Sequence, residues 1–240
     1  MLTVVLPWRP QPSRVAAFDE VHAWYTANLP EAEIVTVDSG DEPFNLARCR
    51  NLGVAQAAER SETERVGVGS RSAGRADADP GADVVVIGDA DTMPQQGPLR
   101  EAIVAARTSG RVHLPYTEYH WLGRTGTAEF RAGTALEACD FELIAGACSG
   151  VYVTTPETWW RHGGQDERFR GWGFEDAAWY VAHETLLGAP PQRHDGSVFA
   201  LHHETQLREG PQYDLNAALM QRYRDAAASP DAMRALVAPR

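Results

Sequence analysis

The segment VVVIGDAD, from Val84 to Asp91, decides the fold of this chain. Its apolar run is short, β-branched and unbroken by polar residues. That is the pattern of a strand covered on both faces, as in the middle of a parallel sheet. It stops at Gly88 and is followed at once by two carboxylates one residue apart. Reading outward, LTVVL (Leu2 to Leu6) is a second buried strand, stopped by Pro7, and EIVTV (Glu33 to Val37) is a third, turning at Asp38-Ser39-Gly40. Between them, Val15 to Leu29 has helical spacing, with Val15, Phe18, Val21, His22 and Tyr25 on one side. Asn45 to Arg60 reads as a helix rich in Ala, Leu and Arg. Pro98 to Ser109 reads as another helix, followed by a short strand over Arg111 to Pro115. Strands alternating with helices predict an α/β fold with a doubly wound sheet.

Residues 1–214 read as one domain, with a less regular second half. Within it, Ser61 to Asp83 is charged, rich in Gly and Ser, and poor in large apolar residues, so it reads as a mobile insertion. Residues 215–240 read as a peripheral tail, helical up to Ser229-Pro230.

Bulk composition narrows the function classes. Lys and Arg number 22 against 33 Asp and Glu, a formal charge of −11. Nucleic-acid binding needs a cationic surface, so it is not expected. An acidic chain suits a divalent cation, although solubility alone explains the charge as well. The three cysteines, Cys49, Cys139 and Cys148, form no close pair, which favours a reducing compartment over a disulfide framework. The opening MLTVVLPWRP is too short for a signal segment, and no apolar run is long enough to span a membrane. The expected location is therefore the cytoplasm.

In doubly wound sheets, ligands collect beyond the carboxyl ends of the strands. That rule marks Arg9, Asp38 and the pair Asp89 and Asp91. Two carboxylates at a strand end can reach one hard cation, Mn²⁺ or Mg²⁺, which prefers oxygen donors and can bridge a diphosphate. The plain alternative is that one caps the next helix and the other is solvated. Asp38 could accept a hydrogen bond from a base or ribose, and Phe44 could lie against the base. Arg48 and Arg50 are candidates for phosphate; two apart on one helix, only one of them should serve. The alternative for Arg50 is a solvated helix face. Asn51, one turn beyond Ala47, could face the pocket. Trp172 stands between Gly171 and Gly173, where a ring could cover a sugar or the diphosphate, unless it is simply a core tryptophan. Glu175 and Asp176 open a predicted helix, where the helix dipole alone would favour them.

Several of these pieces resemble one family. GDAD resembles the D-x-D of GT-A glycosyltransferases. The run from Gly163 to Asp176, GGQDERFRGWGFED, resembles a segment of the galactosyltransferase-like and chondroitin-polymerase-like members. FNLARCRNLG, from Phe44 to Gly53, and LPWR, with Pro7 and Arg9, resemble their nucleotide-side elements. The resemblance spans about Leu2 to His203. It implies a mixed GT-A sheet and a metal-dependent transfer of sugar from a nucleotide diphosphate donor, with UDP favoured, to a glycan or protein acceptor. It implies that Asp91 ligates the metal, that Asp89 meets the metal or the donor ribose, and that a late His completes the set. Of His202 and His203 it favours His203; alternating strand geometry allows only one to face the site. It implies that Asp176 is the general base, that Glu175 binds acceptor hydroxyls, and that transfer inverts the anomeric centre. Phe174, where galactosyltransferase relatives often carry Gly, and Ala177, where they often carry another acid, leave the acceptor open.

Three other readings compete. A nucleotidyltransferase would need a Gly-rich loop after the first strand, and LPWRPQPSR has no glycine. A metal-dependent hydrolase would use Asp89, Asp91, His202 and His203 but not the Trp172 to Asp176 segment. A non-catalytic nucleotide-sugar or carbohydrate-binding module would keep the fold without the chemistry.

Overall fold

A computed structural model describes residues 1–69, 83–171, 173–204 and 209–238. Strands β1 (Leu2–Pro7), β2 (Glu33–Val37) and β3 (Val84–Gly88) lie parallel, with β1 between the other two. Every residue of β1 and β3 is buried, Thr3 among them, as their largely apolar runs predict. Each fully buried Val or Ile contributes roughly 1.5–3 kcal/mol by leaving water. Because the strands are parallel and in register, with Pro7 opposite Val37, their carboxyl ends share one edge.

Helix α1 (Val15–Asn28) returns the chain from β1 to β2, and α2 (Leu46–Gly69) returns it from β2 to β3. The approach of α2 to β1 depends on Gly53. A Cβ there would sit 2.2 Å from Cγ1 of Val5, so a larger residue would force the helix off the sheet.

After β3 come β4 (Thr92–Pro94), α3 (Gln96–Ser109), β5 (His113–Leu114), β6 (Glu118–Trp121), α4 (Gly123–Arg131), β7 (Glu142–Leu143), β8 (Val151–Thr154) and α5 (Pro156–Arg161). The chain finishes with α6 (Glu175–Leu187), β9 (Gln192–Arg193), β10 (Ser197–Ala200), α7 (Pro211–Ala226) and α8 (Pro230–Val237). The main sheet has the order β2-β1-β3-β8-β5-β9, and β8 runs antiparallel to its neighbours β3 and β5. A smaller sheet, β4-β10-β6-β7, stands beside it. The expected mixed α/β architecture is present, with the irregular second half organised by this second sheet.

Two expectations need correction. Helix α2 continues beyond Arg60 to Gly69, so the first part of the segment read as a mobile loop is helix. Its extension is anchored where Ser61, buried, donates its hydroxyl to Asp83, whose other oxygen takes the terminal amino group of Met1 at 2.6 Å. Residues 70–82 lie outside the described residues. The tail is not peripheral either. Met220 and Tyr223 of α7 and Met233 and Leu236 of α8 form a second core with Phe169, Ala178 and Ala182. The largely polar composition of α7 hides a helical stripe of buried residues, Asn216, Met220 and Tyr223.

The interior also holds His113, His162 and His183, all with no exposed surface. Burial pushes their imidazoles down, to about 4, about 3 and about 4 respectively. Neither ring nitrogen of His162 has a hydrogen-bond partner among the described residues. An unfolded chain protonates imidazole near its ordinary value of about 6.5. Between that value and about 4 the unfolded state binds more protons, so stability must fall as pH drops through this window. Glu175 and Asp89, whose carboxyls burial raises, pull the other way, two groups against three. The expected result is a urea midpoint clearly lower at about pH 5 than at about pH 7.5, with each histidine contributing up to about 1.4 kcal/mol per pH unit. Equal midpoints at the two pH values would contradict neutral burial.

Candidate active site

The turn after β3 is held rigidly. The Asp89 amide donates to the Gly150 carbonyl at 2.7 Å, and the hydroxyl of Thr92 donates to the same oxygen at 2.9 Å. Asp91 then faces the end of β10. Strand β10 pairs antiparallel with β4, with Ala200 opposite Thr92, and the Leu201 amide donates to the Asp91 carbonyl at 2.8 Å. This pairing brings Nε2 of His203 to 2.6 Å from Oδ2 of Asp91. His202 points elsewhere, toward Trp121, with ring centroids 6.2 Å apart.

Asp89 does not join that pair. Its Oδ1 accepts from the guanidinium of Arg50 at 2.5 Å. Arg50 has no exposed surface, lies over the ring of Tyr152, donates to Oε1 of Gln165 at 2.8 Å, and stands 3.9 Å from Glu175. The exposed-face alternative for Arg50 is thus excluded, and the residue is committed to carboxylates rather than open to phosphate. Burial raises the Asp89 carboxyl, Arg50 opposes it, and neighbouring Asp91 adds to the rise. Among the described residues, no three His, Cys, Asp or Glu side chains form a metal-holding group. Asp91 and His203 are the pair that meets.

Glu175 and Asp176 occupy the first turn of α6, close to Arg50 and Asp89. Burial, then the charge of Asp176, push the Glu175 carboxyl up to about 7, against Arg50. The turn leading into α6 is unusual. Phe174 has φ of 76°, the left-handed region, and is the one non-glycine with positive φ among the described residues. A side chain in that region costs roughly 1–3 kcal/mol and persists only where the surroundings enforce it. Here Tyr213 packs against the Phe174 ring, centroids 5.1 Å apart, and Asn216 binds the carbonyls of Arg170 at 2.8 Å and Gly173 at 3.3 Å. Both come from α7, so the tail shapes this turn. Trp172 lies outside the described residues.

Beyond the carboxyl ends of β1 and β2, Arg9 forks onto Asp38, at 2.6 and 2.9 Å, also binds Glu42, and lies over Phe44. Pro7, Arg9, Asp38 and Phe44 are therefore gathered at one strand edge. Arg48 is half-exposed, 3.9 Å from both Asp41 and Glu167. Asn51 borders a cleft beside Gly164 and Gln165, away from the strand ends, and its side chain is engaged within the protein. It is buried, accepts from Trp159 Nε1 and the Gln165 amide, and donates to Gln165 and Glu167, so its amide is fully used in fixing the chain after Gly164.

Two further clefts lie away from the strand ends. One, of about 450 Å³, runs between Trp24, Pro98 and Leu136; the other, of about 490 Å³, between Trp160, Arg168 and Leu236.

Solved structures share this fold. The catalytic domain of Drosophila β1,4-galactosyltransferase 7, in complex with xylobiose, superposes with a TM-score of 0.52 over 90% of this chain and 79% of that one, at 14% identity. The chain has the GT-A fold. A mutant of the same Drosophila enzyme, in complex with manganese, UDP-Gal and xylobiose, matches with a TM-score of 0.50 at 12% identity, over 90% of this chain and 78% of that one. No family model matches the sequence, and no curated protein matches it. Within the GT-A fold, the sequence reading passed over two residues near the site. Gln165 stood inside the GGQDERF run without its own signal. Arg14 had one: a cation at the start of a helix, against the helix dipole.

No described helix is long and apolar enough to cross a membrane.

Proposed function

We propose that this chain is a metal-dependent glycosyltransferase, moving a sugar from a nucleotide diphosphate donor, UDP-linked by preference, to an acceptor hydroxyl with inversion. One observation carries the reading: the Asp91–His203 contact of 2.6 Å at the end of β3, beside the Glu175–Asp176 turn of α6. A carboxylate oxygen and an imidazole nitrogen brought together at one strand end are donor types that suit Mn²⁺, and Asp91 and His203 would hold it. When bound, such an ion offsets the charge that builds on the departing diphosphate. The likeness to a fold that holds manganese and UDP-Gal in the Drosophila enzyme supports the same choice.

The chain's own groups divide the rest. Asp176 takes the proton of the attacking hydroxyl. The acceptor oxygen bonds to the anomeric carbon as the bond to the diphosphate oxygen breaks on the opposite face, which inverts the centre. Glu175, pushed up to about 7, is protonated in a large share of molecules near neutral pH and can then donate as well as accept hydrogen bonds, which suits it to orienting acceptor hydroxyls. Arg50 keeps Asp89 in place beneath the site. Asp89 serves the donor ribose more readily than the metal, since its charge is already matched by Arg50.

The test is nucleotide diphosphate release from a panel of UDP-, GDP- and dTDP-sugars, with Mn²⁺ or with EDTA. Release from one donor, abolished by EDTA, is the expected result. No release together with no donor binding across the panel would sink the reading in favour of a hydrolase or a binding module.

A further inference from the structure

One stretch beside the site has no backbone ladder of its own. After β7 the Ile144 amide donates to the Tyr119 carbonyl at 2.9 Å, and at Val151 the chain enters β8, opposite Gly88. Between these points, residues 145–149 make no backbone–backbone hydrogen bond among the described residues. Backbone groups outside regular structure have to find partners elsewhere. Two side chains supply them. Nη2 of Arg193 donates to the Ala147 carbonyl at 2.6 Å, and the hydroxyl of Tyr116 donates to the Ser149 carbonyl at 2.5 Å.

The two holds are joined to each other. The guanidinium carbon of Arg193 lies 5.3 Å from the centre of the Tyr116 ring, where the negative face of the ring attracts a cation. Tyr116 is buried, and Arg193 is fixed in β9 by parallel pairing with Leu114 of β5. Among the described residues Arg193 forms no ion pair with a carboxylate. Its charge therefore serves the ring and the Ala147 carbonyl, and a hydrogen bond from a charged donor is stronger than a neutral one.

The segment leads directly into Gly150, whose carbonyl accepts from both the Asp89 amide, at 2.7 Å, and the Thr92 hydroxyl, at 2.9 Å. Gly150 has φ of 91°, and a Cβ on it would lie 3.0 Å from Cε2 of Tyr119. Glycine is the softest point of a chain, so the direction of its carbonyl depends on what holds the residues before it. The segment also borders the candidate base. Burial raises the Cys148 thiol, the charge of Asp176 adds to the rise, and Arg193 opposes it.

We propose that Arg193 and Tyr116 are positioning residues for the transfer reaction: together they fix residues 145–149 and, through the Gly150 carbonyl, the turn that carries Asp89 and Asp91. This rests on the transferase reading. Both side chains act through the backbone of the segment, and neither is assigned a contact with substrate.

The test uses wild type, Tyr116→Phe, Arg193→Met, Arg193→Lys and the double variant Tyr116→Phe with Arg193→Met. Calorimetry gives the affinity of each for Mn²⁺ alone, nucleotide release gives turnover at saturating Mn²⁺, and urea midpoints establish that each is folded at the assay temperature. Tyr116→Phe keeps the ring beneath Arg193 and removes one hydrogen bond, so it carries the test if Arg193→Met folds poorly. Each of these single variants is expected to lose about tenfold in Mn²⁺ affinity and about tenfold in turnover. The double variant is expected to lose no more than the larger single loss, because the segment is released once either hold is gone. Arg193→Lys keeps the charge and one donor, and should recover part of the loss. Folded variants that match wild type in Mn²⁺ affinity and in turnover overturn the proposal and leave the pair a purely structural role. Single losses that multiply in the double variant, to about a hundredfold, overturn the shared segment. Wild-type protein that neither binds Mn²⁺ nor releases nucleotide overturns the transferase reading itself, and this proposal with it.

Discussion

Asp176→Asn is expected to cut turnover by about 10²–10⁴-fold, the usual contribution of a positioned general base, while leaving donor affinity unchanged. The substitution is gentle to the structure. Oδ1 of Asp176 accepts from the Ala177 amide at 2.8 Å, and an asparagine oxygen retains that bond. What is lost is the carboxylate that receives the acceptor's proton. Glu175→Gln serves as the contrast. Burial pushes that carboxyl up to about 7, so near pH 7 a large share of it is already neutral, the amide imitates that form, and turnover should fall far less. Turnover measured with saturating donor, alongside calorimetric donor affinity, separates the two variants. Asp176→Asn running at the wild-type rate would remove Asp176 from the role of base.

Arg50→Met is expected to lower the free energy of unfolding by about 3–5 kcal/mol, because it leaves a buried carboxylate without its partner. Asp89 loses a bond of 2.5 Å, Gln165 loses one of 2.8 Å, and the charge 3.9 Å from Glu175 disappears. Methionine fills much of the volume, so the loss reports charge more than cavity. Native domains carry only about 5–15 kcal/mol of stability, so the variant should unfold at much lower urea. Arg50→Lys restores charge without the fork that reaches Asp89 and Gln165 together, and is expected to recover part of the loss. A shift of less than about 1 kcal/mol for Arg50→Met would mean that Asp89 simply takes up a proton and the ion pair contributes little. The two predictions are linked through one buried arginine. It fixes the carboxylate at the β3 end and lies beside the carboxylates that open α6.

The parallel heart of the fold was legible because it depends on local chemistry. LTVVL, EIVTV and VVVIG are short β-branched runs stopped by Pro, Gly or Asp, and β2 and β3 occupy the residues their patterns mark. Strand ends of a parallel sheet must face one edge, so Arg9, Asp38, Asp89 and Asp91 could be assigned to one region from sequence alone. The helical continuation to Gly69 was not legible, since residues of low apolar content gave no periodic stripe and the anchor is a long-range bond from Ser61 to Asp83. The role of the tail was hidden for the same reason. Asn216 and Tyr213 matter through partners some forty residues earlier in the chain, at Phe174, Gly173 and Arg170.

Residue type established what each site side chain was able to do; only the tertiary structure decided what each one faces. Arg50 and Asn51 carried the chemistry of ligand-binding groups, yet both are consumed inside the protein, by Asp89 and by Gln165. Arg14 carried no motif, yet it reaches the His203 ring across 189 positions of chain. A sequence specifies donors, acceptors and charges one residue at a time. Which of them are neutralised depends on distances between segments remote in the chain, and those distances are set by strand pairing and by the packing of α2, α6 and α7.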